Sequence, residues 1–287
     1  MIVTLTTDYG PRDGYAAAVK GTMLSITPAL RLVDVTHAVP PRDVMEAAFV
    51  LMDALSCFPD GTVHLSTVGG AARTGAHPIA ARFLSDGREY TFVGPDNGML
   101  ALITRGDGLV ETVVLDRPEW WRTPDADGTF EGRDRLGPVA AHLASGVALD
   151  RVGSPAGPLV GMHWPMPKSD EQGIDGWVAH IDRYGNCITN ITRDLVAQFS
   201  AERALKCFVG SSRINGLQDS VADVPAGDPV AVFDSSGRLM VAINGGDAAQ
   251  MLSVHRGASV NLVFGPRRTP DAPSIVRPAS PSAVAST

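Results

Sequence analysis

The N-terminal half of the chain alternates short β-branched runs with helical patterns, and each run ends in a polar cluster. Residues 2–7 read as a strand that stops at Asp8-Tyr9-Gly10, and 14–27 as a helix halted before Pro28. Residues 30–36 form a second strand ending among Asp34, Thr36 and His37, and 42–56 are the clearest amphipathic helix. Residues 62–68 predict a third strand, 80–83 and 90–93 a fourth and fifth, and 97–104 and 139–144 are helical. Close alternation of this kind predicts βαβ units and a largely parallel sheet. Such sheets bind ligands beyond the carboxyl ends of their strands. Asp8, Asp34 and the loop after Val68 fall at that place. A strand-end aspartate serves equally as a turn or helix-cap residue, so position alone leaves both roles open.

The pattern changes across residues 153–173, which are rich in Pro and Gly and lack periodicity. Beyond them the reading is all strand, over 177–182, 205–209, 229–233, 239–243 and 259–264, with Gly-rich turns between. That predicts a small antiparallel barrel or sandwich. The expected organisation is an α/β domain over 1–158, a linker over 159–173, a β domain over 174–265 and a disordered Pro/Ser/Ala tail over 266–287.

A chain of 287 residues can bury a sizeable core without disulfide or metal staples. Its net charge of −7, with no basic block, argues against nucleic acid as a partner. Three widely spaced cysteines, with no CxxC, fit buried thiols in a reducing compartment. No run approaches a membrane span and the N-terminus lacks a signal-peptide pattern, so a cytoplasmic protein is expected.

Several familiar motifs are missing: GxGxxG opening a helix, GxxxxGK[ST], HExxH and GxSxG. The seven histidines have no metal-ligand spacing. Instead, short polar words recur at strand ends: TTDYG from Thr6, VDVTH from Val33, PDNG from Pro95 and TFEGRD from Thr129. The second half adds IDRYGN from Ile181, DSSG from Asp234 and AINGG from Ala242. Each word alone is also ordinary turn chemistry.

Together and in this order, the segments TLTTDYGPRDGYAAAVKG, DVTHAVPPRDVMEAA, FPDGTVH, VGPDNGML, IDRYGNCITNI and FDSSGRLMVAINGGDAA resemble the S-adenosylmethionine (SAM) hydroxide adenosyltransferase family, which is related to fluorinase and chlorinase. The resemblance spans roughly residues 2–264. It implies an N-terminal α/β domain with a mixed, Rossmann-like sheet, a smaller C-terminal β-barrel, and a homotrimer holding SAM where one subunit's N-domain meets the neighbour's C-domain. SAM is then the substrate, with no separate cofactor and no metal. By position, Asp8 matches the carboxylate that accepts from the ribose diol, a task suited to a double acceptor. Asp182 matches the acceptor for the methionine ammonium, and Ser235 a donor to its carboxylate. Asn186 and the backbone around Asn244 match contacts to the adenine edge, and Phe130 faces the reacting carbon.

The chain departs from the family at the reactive end. The hydrolases' Asp-Arg-His trio maps onto Gly69, Ala76 and Glu131. Three ionisable side chains flank the vacated positions, so an acid–base set of Glu131 and His77, with Arg73, is expected to take over the water-activating role. The activity implied is hydrolysis of SAM to adenosine and L-methionine. A catalytically altered SAM- or adenosine-binding paralogue, or a SAM-dependent halogenase, are the alternatives.

Overall fold

The computed structural model describes residues 1–70, 75–105, 108–200 and 203–266. The expected tail beyond residue 266 therefore lies outside the described residues. The chain divides into two compact units, Met1–Pro165 and a second beginning at Met166. No described helix is long and apolar enough to cross a membrane.

The first unit is built on a seven-stranded sheet. Its strands in chain order are β1 (Ile2–Thr6), β2 (Arg31–Thr36), β3 (Val63–Ser66), β4 (Pro78–Ser85), β5 (Arg88–Pro95), β6 (Leu109–Val114) and β7 (Ser154–Pro155), in spatial order β2-β1-β3-β5-β4-β6-β7. β1 shows why the sheet is covered on both sides. Val3 and Leu5 pack with one core and Thr4 and Thr6 alternate away, and all four are fully buried. Helices α1 (Tyr15–Ile26) and α2 (Val44–Leu55) cover opposite faces, α1 joined by α4 (Gly137–Ala144) and α2 by α3 (Met99–Thr104). Asp43 caps α2 by accepting from Glu46 N at 3.0 Å.

The sheet is mixed, as the family resemblance implies, where the alternation of strands and helices alone predicts a largely parallel one. β1 pairs in parallel with β2 and β3, and β3 with β5. β4 runs antiparallel to β5 and β6, and β6 to β7. Asp86 and Gly87, both at positive φ (49° and 74°), close β4 onto β5, and a two-residue turn of that type permits only antiparallel pairing. The parallel strands leave their carboxyl ends on one edge, where the candidate site lies.

Residues 159–173, expected as a linker, bond to the first unit near their start. Val160 N donates to Asp96 Oδ1 at 3.0 Å and Trp164 Nε1 to Leu102 O at 3.2 Å.

The second unit is an antiparallel sheet of strands β8 (Lys168–Ser169), β9 (Gly173–Ile181), β10 (Cys187–Thr192), β11 (Leu205–Val209), β12 (Ser212–Asn215), β13 (Pro229–Phe233), β14 (Arg238–Ile243) and β15 (Ser259–Phe264). The order is β12-β11-β15-β9-β10-β14-β13, with β8 on β9. β9 is shared: residues 173–177 pair with β15, and 178–181 with β10. After β12, Gln218 N donates to Ala231 O of β13 at 2.9 Å, so the two ends of the sheet meet and it nearly closes into a barrel. The all-strand expectation is corrected by two helices, α5 (Arg193–Ser200) and α6 (Ala248–Met251). In α5 only Val196 is fully buried, with Leu195 and Phe199 packed beside it, too narrow a stripe to stand out as a helical period.

Candidate active site

The turn after β1 is pinned from several directions. Thr7 N donates to Thr36 O at 2.9 Å and Gly10 N to His37 O at 2.7 Å. Thr7 Oγ1 lies 2.8 Å from His37 Nδ1, and Tyr9 N donates to the same hydroxyl at 3.4 Å. His37 Nε2 stands 3.1 Å from Asp34 Oδ1, whose Oδ2 receives Lys20 Nζ at 2.6 Å. Burial pushes the Asp34 carboxyl up, but Lys20 and His37 outweigh it and hold it below the usual carboxylate range. Asp34 therefore braces the turn from behind, through His37 and Thr7. Asp8 stands in the turn itself, partly exposed. Its Oδ2 accepts from Arg42 N at 2.8 Å, with Arg42 in the left-handed region at φ 65°. One carboxylate oxygen is thereby oriented by backbone from the loop before α2.

Opposite this turn, Glu131 opens a helical segment whose next five residues, Gly132–Leu136, form a π-helix before α4. π-turns are uncommon and concentrate at functional sites. The segment is held by charge: Asp134 accepts from Arg133 Nε and Nη2, both at 2.7 Å, with Arg122 Nη1 at 3.4 Å. Arg133 lies over the Phe130 ring and Arg135 over Trp121. Glu131 is only 6% exposed, with Oε1 3.9 Å from Arg135 Nη1.

Gly132 abuts Tyr9. A β-carbon there would stand 2.5 Å from the Tyr9 hydroxyl and 2.9 Å from Thr67 Cγ2. Burial pushes the Tyr9 phenol up to about 12; the Thr67 side chain opposes this, and the charges of Asp8 and Glu131 add to it. Tyr9 is therefore a protonated donor at neutral pH. Its ring makes an aromatic cluster with Tyr15 and Phe130, at centroid separations of 5.3 to 5.7 Å. A β-carbon on Gly70 would lie 3.7 Å from Glu131 Oε2, so the backbone after β3 passes directly beside that carboxylate. Asp8, Tyr9, Thr67, Phe130 and Glu131 thus converge at the carboxyl ends of β1 and β3.

Gly69 sits at φ 68°, and a β-carbon there would be 2.9 Å from Asn97 Nδ2 and 3.3 Å from Val44 Cγ2. Asn97 is committed nearby, donating to Val68 O at 2.9 Å and accepting from Met99 N at 3.2 Å. His77 leads into β4: its carbonyl accepts from Asp96 N at 2.8 Å and the residue is exposed. No described contact joins its ring to Glu131, and Arg73 lies outside the described residues. Among the described residues no cluster of His, Cys, Asp or Glu is suited to hold a metal ion.

In the second unit, Asp182 organises the β9–β10 turn. Its Oδ1 accepts from Tyr184 N and Asn186 N, both at 2.9 Å, and its Oδ2 from Asn186 Nδ2 at 2.8 Å. Three donors on a carboxylate with about four acceptor positions leave capacity for one more. Asp247 lies against the same turn, so close to Gly185 that no β-carbon fits there. Asn244 follows β14, its Nδ2 donating to Val224 O at 2.7 Å. Ser235 is exposed in the hairpin at the other end of β14, roughly 20 Å away at about 3.3 Å per residue. Asp182 and Asn186 are thus together, and Ser235 lies in the hairpin that precedes β14.

Tyr9, Thr67 and Arg135 are additions that sequence reading did not single out. Tyr9 lies inside the quoted word TTDYG, but nothing in that word reveals that Gly132 and Glu131 pack against it.

The sequence matches the SAM hydroxide adenosyltransferase N-terminal domain over residues 3–153 and the C-terminal domain of the same name over 176–261. The chain belongs to the SAM hydroxide adenosyltransferase family. Within it, the chain is 35% identical to a protein named (R)-S-adenosyl-L-methionine hydrolase from Thermus thermophilus, over 91% of this chain and 99% of the relative. A hydrolase of the same name from Salinispora tropica is also 35% identical, covering 92% and 98%. A fluorinase from an Actinoplanes strain is more distant, at 28% identity over 91% and 97%. A crystal structure of an uncharacterized conserved protein from Thermotoga maritima superposes with a TM-score of 0.84 at 32% identity, covering 92% of this chain and all (100%) of that one.

Proposed function

We propose that this family member hydrolyses SAM to adenosine and L-methionine by attack of water at C5′. The observation that carries the reading is the convergence of Asp8, Phe130 and Glu131, around the Tyr9 phenol, at the carboxyl ends of parallel strands, in a chain whose hydrolase relatives align over nearly its full length. Asp8, oriented by Arg42 N, accepts from the ribose 2′- and 3′-hydroxyls, and Phe130 walls the reacting carbon. Asp182 receives the substrate ammonium at its remaining acceptor position, Ser235 meets the carboxylate, and Asn186 and Asn244 meet the adenine edge.

The chemistry is displacement of a sulfonium. The leaving group is already good, so the protein supplies alignment of nucleophile, C5′ and sulfur, together with a dry pocket. We place the first unit as the Rossmann-like domain of a cytoplasmic homotrimer with sites at subunit interfaces; its three free cysteines fit a reducing compartment. Sizing in solution tests the trimer. The activity is tested by incubating the purified protein with SAM and identifying products by mass. Adenosine and methionine in equal amounts are expected, and intact SAM after prolonged incubation overturns the reading.

A further inference from the structure

We propose that Tyr9 and Glu131 together form the nucleophile subsite, and that they select a neutral hydroxyl nucleophile, water, against halide. This inference rests on the hydrolytic reading above and adds which residues hold and deprotonate the attacking group.

Two glycines make the subsite possible. Gly132 lets the Tyr9 hydroxyl reach the π-turn, since any β-carbon there would stand 2.5 Å from it. Gly70 lets the chain after β3 pass beside Glu131 Oε2. The phenol and the carboxylate therefore share one small region, flanked by Phe130 and Thr67. The phenol offers a donor to a lone pair of the nucleophile, and the carboxylate offers an acceptor for its proton. Water satisfies both. A halide satisfies the phenol and is repelled by the carboxylate, and in a pocket this buried the repulsion is poorly screened.

Among the described residues, Arg135 stands near Glu131 on its own helix, and the charges of both Glu131 and Asp8 act on Tyr9 in the turn after β1. Arg135 Nη1, stacked on Trp121, places a cation 3.9 Å from Glu131 Oε1. Tyr9 is fixed in turn by the Thr7 hydroxyl, which its backbone N–H reaches and which His37 holds from the other side.

The step balances without a further reactant. The water oxygen forms a bond to C5′ as the C5′–S bond breaks, its electron pair returning to sulfur and turning the sulfonium into the thioether of methionine. One water proton passes to Glu131 and the other stays on the new 5′-hydroxyl. Release of the carboxyl proton to solvent resets the site.

The test compares wild type, Glu131→Gln, Glu131→Asp and Tyr9→Phe, with SAM alone and with added chloride or bromide. SAM affinity is measured by calorimetry and products by mass. Glu131→Gln, an isosteric change, is expected to lower kcat for hydrolysis by about 100-fold with SAM affinity within about threefold, since a general base contributes on that scale. Tyr9→Phe is expected to cost about tenfold, the worth of one hydrogen bond made in the transition state. Glu131→Asp should restore part of the rate with a shifted acidic limb in the pH profile, which a purely structural role would not produce. Wild type should form no 5′-halogenated adenosine, and Glu131→Gln should form some. Hydrolysis by Glu131→Gln within threefold of wild type, or halogenated product from wild type, overturns the subsite while leaving the hydrolytic reading intact. Absence of SAM turnover by wild type overturns that reading and the subsite with it.

Discussion

Gly132→Ala probes the packing on which the active end depends. Its β-carbon would stand 2.5 Å from the Tyr9 hydroxyl and 2.9 Å from Thr67 Cγ2. Ordinary contact lies near 3.5 Å, so the phenol must retreat by roughly 1 Å. Tyr15 and Phe130 box the ring, which limits the routes it can take. Overpacking of this kind costs about 1–3 kcal/mol. Replacing glycine by alanine within a helix returns about 1 kcal/mol. The net expectation is a stability loss of about 0–2 kcal/mol by urea unfolding. Activity should fall much further, about 100-fold, because a displacement near 1 Å at a reacting centre carries that penalty. Ultraviolet titration gives a third readout. The Tyr9 phenol, held up to about 12 by its burial, should titrate closer to the ordinary value of 10 once displaced. A Gly132→Ala protein with wild-type turnover and an unmoved high-pH tyrosine transition refutes the reasoning.

Two predictions concern groups outside the site. His64 is fully buried between Phe58 and Tyr90, 2.7 Å from Thr4 Oγ1, and burial pushes its imidazole down to about 4. The unfolded chain then binds a proton below about pH 6.5 that the folded chain refuses, so this stability term is full above pH 6.5 and falls as pH drops toward 4, by about 3 kcal/mol in all. The His64 ring resonances should stay unmoved between pH 7 and 5, and a midpoint near 6.5 contradicts the prediction. Cys187 and Cys207 are buried, and burial pushes their thiols up to about 11 and about 12, whereas Cys57 is exposed. A thiol reagent at pH 8 should modify one cysteine in the native protein and three after unfolding; two fast native thiols contradict this.

What was legible in the sequence was local. The β-branched run before Asp8 and the apolar period before Leu55 appear in the structure as β1 and α2, because short-range patterning and burial agree there. Sheet direction was less legible. Strands that read alike pair in parallel or antiparallel according to the turns between them, and Asp86-Gly87 decides it for β4 and β5. β10 escaped notice because its residues, CITNIT, read more readily as polar turn words than as a strand. The site divides in the same way. Asp8, Phe130 and Glu131 are candidates in the sequence through their place in words shared with the family. The role of Tyr9 is not legible there, because it depends on a glycine in a π-turn far along the chain. Gly69 reads in sequence as lost chemistry; in the structure a β-carbon there would crowd Asn97, and its neighbour Gly70 lets backbone pass beside Glu131.

Attack of water itself at C5′ leaves a mark in the product, the origin of the 5′-oxygen. The protein is allowed to turn over SAM in water enriched in oxygen-18, and the adenosine is analysed by mass with fragmentation of the ribose. One heavy oxygen per adenosine is expected, located in the 5′-hydroxyl, with none in methionine. Adenosine carrying only ordinary oxygen, or label at another position, would contradict it.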